Sequence, residues 1–189
     1  LADADESEYM ATRRGFAFKV FNKNTFVATK VAWTDEAKMG LAFPSEIEQL
    51  MDWAEGHMVQ GAGKAVACGV FLTHRLVAEA ICEVVITRQS VRSKWIKLLR
   101  VRLRPSIDDA LNSPTQSSPE IVRKAVDIFV KAIVGLLDFG ENENASTIKI
   151  YGRTRQQLDF LRFLAIELYR LRSNHLQISM EGKFLVVRR

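Results

Sequence analysis

Between Glu83 and Asp108 the chain has no acidic residue, while Arg88, Arg92, Lys94, Lys97, Arg100, Arg102 and Arg104 all fall there. A cationic block this dense repels itself unless it is solvated or meets an anion. Leu99, Val101 and Leu103 alternate with Arg100, Arg102 and Arg104, which reads as a strand over Lys94 to Arg104. Its arginines then recur about every 7 Å, at roughly 3.3 Å per residue. Trp95 stands beside them as a ring on which a base could stack. Together these features suggest phosphate tracking, which grips a nucleic-acid backbone without reading its sequence. The same alternation also fits the solvent face of an antiparallel strand, or charges that guard a sheet edge.

A second cationic feature is Gly152-Arg153-Thr154-Arg155, placed where a predicted strand passes into a helix. Backbone N–H groups and the helix dipole favour an anion there, and Gly152 allows close approach. An ordinary strand-to-helix turn with a Thr cap and solvated arginines accounts for the same residues. The candidate anion-binding set is therefore Arg88, Arg92, Lys94, Trp95, Lys97, Arg100, Arg102, Arg104, Arg153 and Arg155.

Other chemistries are weakly represented. Gly61-Ala62-Gly63-Lys64-Ala65 has the glycines and lysine of a phosphate loop, but Met58 replaces a required glycine and Ala65 the hydroxyl that would hold magnesium. His57, His74 and His175 have no metal-ligand spacing with one another or with Cys68 and Cys82. Glu181-Gly182-Lys183 has the Glu-x-Lys form of metal-dependent nucleases, yet it falls on a predicted hairpin turn with no companion acid. No elbow motif surrounds any serine, and neither cysteine has a base nearby in sequence. The reading nominates no catalytic residue, no metal and no cofactor.

One stretch resembles a known family. Arg13-Arg14, followed by Ala28-Thr29-Lys30-Val31-Ala32-Trp33 and Met39-Gly40-Leu41-Ala42-Phe43, resembles the opening arginines and closing strands of a PilZ domain. The resemblance implies strands at those positions and, in that family, binding of cyclic di-GMP. The family's second motif, Asp or Asn followed by x-Ser-x-x-Gly, is missing between Arg14 and Trp33, so no ligand residue is carried over.

The elements that must position these residues follow from periodicity and punctuation. Gly15 to Asn22 and Thr25 to Thr34 read as two strands around Asn22-Lys23-Asn24, with a third over Met39 to Phe43. Pro44 and Ser45 open a helix in which Ser45 and Glu48 stand at capping-box spacing and Ile47, Leu50, Met51 and Ala54 form the apolar face. Gly56, Gly61 and Gly63 break it. Val66 to Leu72 reads as a buried strand, Leu76 to Ile86 as strand or helix, and Pro105 as the stop of the cationic strand. Asn112 to Pro119 is a loop. Ser118 and Pro119 then start a helix that Gly140 stops, followed by a strand over Thr147 to Tyr151. Thr154 and Gln157 cap a helix reaching Arg172 through Leu161, Leu164 and Leu168, and His175 to Met180 and Lys183 to Val187 close the chain as a hairpin.

The expected fold is α+β: an antiparallel or mixed sheet packed by capped helices, with the C-terminal half in the order helix, strand, helix, strand, strand. Residues 1–12 read as a mobile acidic tail and 13–189 as one α+β domain, or as two lobes meeting near 105–118. With 189 residues, 48% apolar and 26% charged, the composition excludes disordered and low-complexity classes. The two cysteines read as reduced core residues. The nearly uncharged stretch Ala65 to Leu72 is far short of a membrane span, giving an expected intracellular, cytoplasmic location. Charge alternates by segment: −5 over 34–60, +7 over 88–104, −4 over 105–146 and +6 over 147–189. The function expected from these features is a non-enzymatic binding module whose basic surface meets nucleic acid. The alternatives are a protein-interaction or assembly subunit pairing basic with acidic faces, self-association included, and an enzyme of unrecognised family.

Overall fold

The computed structural model describes residues 15–58, 65–90, 93–113, 118–153, 155–170 and 177–188. The elements run β1 (Phe16–Val20), α1 (Lys23–Lys38), α2 (Pro44–Gly56), β2 (Ala65–Leu72), β3 (Ala78–Ser90), β4 (Ser93–Leu103), α3 (Pro105–Asn112), α4 (Pro119–Asn142), β5 (Thr147–Tyr151), α5 (Arg155–Arg170), β6 (Gln177–Glu181) and β7 (Phe184–Arg188). The strands form one seven-stranded sheet in the order β1-β2-β3-β4-β5-β7-β6. Every neighbouring pair is antiparallel except β4 and β5, which are parallel. The fold is thus α+β with a mixed sheet, and its C-terminal half follows the order read from the sequence.

Each face of the sheet carries its own apolar layer. On one, Val66, Cys68, Val70, Cys82, Val84, Ile96, Leu98, Ile148, Ile150, Leu185 and Val187 pack against Ile128, Ala132, Ile133 and Leu136 of α4 and Leu161 and Leu164 of α5. On the other, Ala67, Phe71, Ala78 and Ile81 meet Phe26 and Trp33 of α1 and Ile47 and Met51 of α2.

The N-terminal region departs from the sequence reading. Thr25 to Thr34 is helical, and Asn22 caps it: its side chain accepts from the Thr25 N–H at 2.9 Å while Thr25 Oγ1 accepts from the Asn22 N–H at 3.0 Å. The misreading has a physical source. Helix α1 buries Thr25 and Thr29 beside Phe26 and Trp33 and leaves Val27 and Val31 on its wet face, so its apolar pattern has no clean helical period. The threonines are inside because they hydrogen-bond there. Thr29 Oγ1 donates to Thr25 O at 2.7 Å and accepts from the Ala78 N–H at 3.0 Å, and Trp33 Nε1 donates to Ala78 O at 2.9 Å. The strands implied by the PilZ resemblance are therefore absent: Ala28 to Trp33 is α1, and Met39 to Phe43 is a turn with Gly40 at φ +87°. Arg13 and Arg14 lie outside the described residues.

Helix α2 starts at Pro44 without a side-chain cap, so Ser45 and Glu48 do not form a capping box. Pro105 ends β4 but also occupies the first turn of α3, which the sequence reading omitted. Helix α4, capped by Ser118, runs past Gly140 to Asn142, because Gly140 serves packing: a Cβ there would lie 2.7 Å from Ile148 Cδ1. Leu76 to Ile86 resolves as strand from Ala78 onward. Residues 1–12, Gly61 to Lys64, Pro114 to Ser117, Thr154, Arg172 and His175 lie outside the described residues.

Candidate functional site

Strands β4 and β5 run side by side only from Trp95 to Leu98, opposite Thr147 to Ile150. Beyond that point they part, for two reasons. In β4, Arg100 pairs with Glu83 and Leu98 with Val84, so Leu99 is a bulge without a register partner on either side. Strand β5 ends at Tyr151, and the chain turns toward α5 through Gly152, where a Cβ would meet Leu158 Cδ2 at 2.7 Å. The Gly152 N–H donates to Lys183 O, and the Arg153 N–H to Gln157 Oε1, both at 2.9 Å. Gln157, expected with Thr154 to cap α5, holds the N–H of Arg153.

The gap is a cleft of about 830 Å3. Leu98 to Leu103 form one wall; Phe129 and Ile133 of α4, Phe160 and Leu161 of α5, and Ile150 of β5 form the rest, with Tyr151, Arg153 and Gln157 on the β5 side and Asp108 on the α3 side. In an open sheet with parallel strands, the crevice beyond their C-terminal ends is where ligands bind. The volume falls within the range of small-molecule sites.

A second cavity, about 560 Å3, lies on the α2 face of the sheet. Glu46, Gln49, Leu50 and Trp53 come from one side of α2 at helical spacing, and Ile81, Glu83, Arg100 and Arg102 come from β3 and β4. Trp53 is stacked on His57 (centroids 5.0 Å apart), whose Nδ1 lies 2.6 Å from Trp53 O. Glu83, Arg100, Arg102 and Arg153 line both cavities.

The cationic strand is largely compensated from within. The bulge at Leu99 lets Val101 and Leu103 pack on the same layer as Ile96 and Leu98, so the arginines do share the opposite face, as expected. However, Arg102 meets Glu46 of α2 at 2.6 Å, and Arg104 meets Glu36 of α1 at 2.6 Å and Glu79 of β3 at 3.3 Å. Burial pulls the Arg104 guanidinium down, but its hydrogen bond to Glu36 and the charges of Glu36 and Glu79 outweigh this and hold it above its usual range. The other oxygen of Glu36 accepts from the Ser106 N–H at 3.0 Å and caps α3. Lys94 meets Glu143 at 2.7 Å, and the Trp95 ring lies under the Lys149 ammonium, 3.9 Å from its centroid. Lys97 is half-buried, and Arg100, Arg153 and Arg155 are exposed. Arg88 pairs in register with Lys94, and Arg92 lies outside the described residues.

The site residues absent from the sequence reading are Glu83, Trp53, Tyr151 and Gln157 as a cleft lining. Glu83 carried a signal: it is the one acid inside the apolar run Ala80 to Ile86. Cys68 and Cys82 face each other across β2 and β3, both buried and free. Burial pushes the Cys68 thiol up to about 12, and burial together with Cys68 raises Cys82, so neither supplies a thiolate. Among the described residues no group of three His, Cys, Asp or Glu is placed to hold a metal, and no helix is long and apolar enough to cross a membrane.

No family model matches the chain, and no curated protein matches it. Solved structures do resemble it. An acetyltransferase from Thermus thermophilus is 10% identical, with 93% of this chain and 96% of that one covered and a TM-score of 0.39. An acetyltransferase of the GNAT family from Staphylococcus aureus is 6% identical, with 90% and 97% covered and a TM-score of 0.38. An uncharacterized protein from Bacillus halodurans is 6% identical, with 92% and 82% covered and a TM-score of 0.43. The expectation of a non-enzymatic module for nucleic acid is corrected by the charges: of the strand arginines on which it rested, Arg102 and Arg104 are held by the chain's own Glu46, Glu36 and Glu79.

Proposed function

We propose that this chain is an enzyme that transfers an acyl group between two small molecules. One observation carries the reading: two cavities on different sides of the sheet share Glu83, Arg100, Arg102 and Arg153, so a molecule in each would meet at those side chains. The cleft suits the donor. Past Leu98 the β4 edge has no strand partner, and an extended molecule carrying amides can add to such an edge through main-chain hydrogen bonds. The apolar walls from α4 and α5 cover the rest of that arm. A thioester on a pantetheine arm has this shape and these amides.

The bulge at Leu99 then takes a chemical role. Main-chain groups released from a ladder are available to a developing oxyanion, and Leu99 lines the cleft next to Arg100, which both cavities share. Glu83 stands one strand away from it, and among the described residues no cation is within ion-pair distance of its carboxylate, which is the arrangement a general base needs.

Thiol release from acetyl-CoA and from S-acetylpantetheine, assayed against a panel of small amines, tests the reading. Turnover should fall roughly 10²- to 10⁴-fold in Glu83→Gln. Absence of turnover with both donors and every amine, together with no binding of either donor, would remove it.

A further inference from the structure

We infer that the acceptor in the α2-side cavity is an amine that also carries an anionic group, of the amino-carboxylate class; the inference deepens the two-cavity reading and rests on it. The charges that face the cavity decide the matter. Arg102 and Glu46 are paired at 2.6 Å and largely cancel. Arg100 and Arg153 are exposed and have no acidic partner within ion-pair distance among the described residues, and the same holds, with opposite sign, for Glu83. What remains for a ligand is one carboxylate and two guanidiniums.

Their spacing is set by the sheet. Glu83 and Arg100 are direct register partners on β3 and β4, which places their Cα atoms about 5 Å apart. Arg153 faces the same space from the turn between β5 and α5. A purely cationic amine would satisfy Glu83 but meet Arg100 and Arg153 with like charge. A purely anionic ligand would satisfy the arginines and be repelled by Glu83. An ammonium and a carboxylate a few ångströms apart in one molecule answer both, and guanidinium groups bind carboxylate in a forked geometry that an ammonium side chain cannot match. Leu50, Trp53 and Ile81 leave an apolar wall for the rest of the acceptor.

The chemical step balances with a thioester donor. Glu83 takes one proton from the acceptor's ammonium, and the freed amine attacks the thioester carbonyl. The C–N bond forms, the C–S bond breaks, and the second nitrogen proton goes to the departing thiolate. The products are an amide and a thiol, and Glu83 returns its proton to water.

Matched acceptors test this: phenylalanine against phenethylamine, and serine against ethanolamine, each pair differing only in the carboxylate. Binding to the free protein is measured by calorimetry, and turnover by thiol release from acetyl-CoA. The carboxylate-bearing member should bind at least tenfold tighter and have the higher kcat/KM, and Arg100→Gln combined with Arg153→Gln should bring the ratio in each pair close to one. Both arginines are exposed, so the variants keep the fold. Equal or tighter binding of the decarboxylated amines overturns the inference while leaving the donor cleft standing. Selective binding of the amino-carboxylates without any donor binding would overturn the acyl-transfer reading instead.

Discussion

Glu36 on α1 and Arg104 at the end of β4 are joined at 2.6 Å, 68 residues apart in sequence, and through them a helix near the N-terminus is tied to the rim of the cleft. The same carboxylate caps α3, so one side chain fixes three elements. A charge that the sequence offers to a partner is consumed in assembling the fold.

This pair and the one between Glu46 and Arg102 predict stability losses of different size. Glu36 is 13% exposed and Arg104 27%, so Glu36→Gln removes the charge facing a half-buried guanidinium and leaves one oxygen to serve both Arg104 and the α3 cap, and should cost about 2 kcal/mol or more. Glu46 and Arg102 are 54% and 42% exposed, and Glu46→Gln should cost less than about 1 kcal/mol. Urea unfolding of both variants checks the order; equal losses would contradict it.

Leu164→Ala should cost about 2–5 kcal/mol, because Leu164 is only 8% exposed and belongs to the layer between α5 and the sheet. A loss below roughly half a kcal/mol in urea unfolding would mean that α5 packs through another face.

Gly135→Ala reverses the usual helix preference. Alanine normally stabilises a helix interior by about 1 kcal/mol over glycine, but a Cβ at Gly135 would overlap the Phe18 side chain on β1. The variant should be destabilised by about 1–3 kcal/mol, visible as a lower thermal midpoint; a raised midpoint would show that β1 and α4 do not approach this closely.

The C-terminal half was legible in the sequence because its signals are local and agree with one another. Ser118-Pro119 marks a helix start, Thr147 to Tyr151 a strand, and Glu181-Gly182 a turn, where Gly182 has φ +60°. Helix α1 was not legible, since Thr29 is buried for the sake of Ala78, 49 residues away, and Val31 is left in water. The candidate site was half legible. Arg100, Arg102 and Arg153 were named as cations, but which of them are neutralised depends on Glu36, Glu46 and Glu79, and only the tertiary fold brings those acids to β4. The cleft itself was invisible, because a bulge at Leu99 is a matter of register rather than composition.

The cysteines give a pH dependence. Burial raises Cys68 to about 12 from a usual 9.0, and Cys82 is raised as well. A thiol whose folded value lies above its unfolded one contributes its full stability below pH 9, and that contribution is lost as pH rises from 9 toward 12. Unfolding free energy should therefore fall as pH rises above 9. Iodoacetamide at about pH 8, near the ordinary thiol range, should label neither residue until the chain unfolds; rapid native labelling would contradict the burial.

The most direct test of the account is amide hydrogen exchange along β4 with and without S-acetylpantetheine. The β4 amides beyond Leu98 that face β5 have no strand partner, so they should exchange quickly in the free protein. Saturating donor should protect these amides, between Leu99 and Leu103, and leave Trp95 to Leu98 unchanged. Unchanged exchange over residues 99–103, or protection confined to another part of the sheet, would show that the parting of β4 and β5 is not where the donor binds.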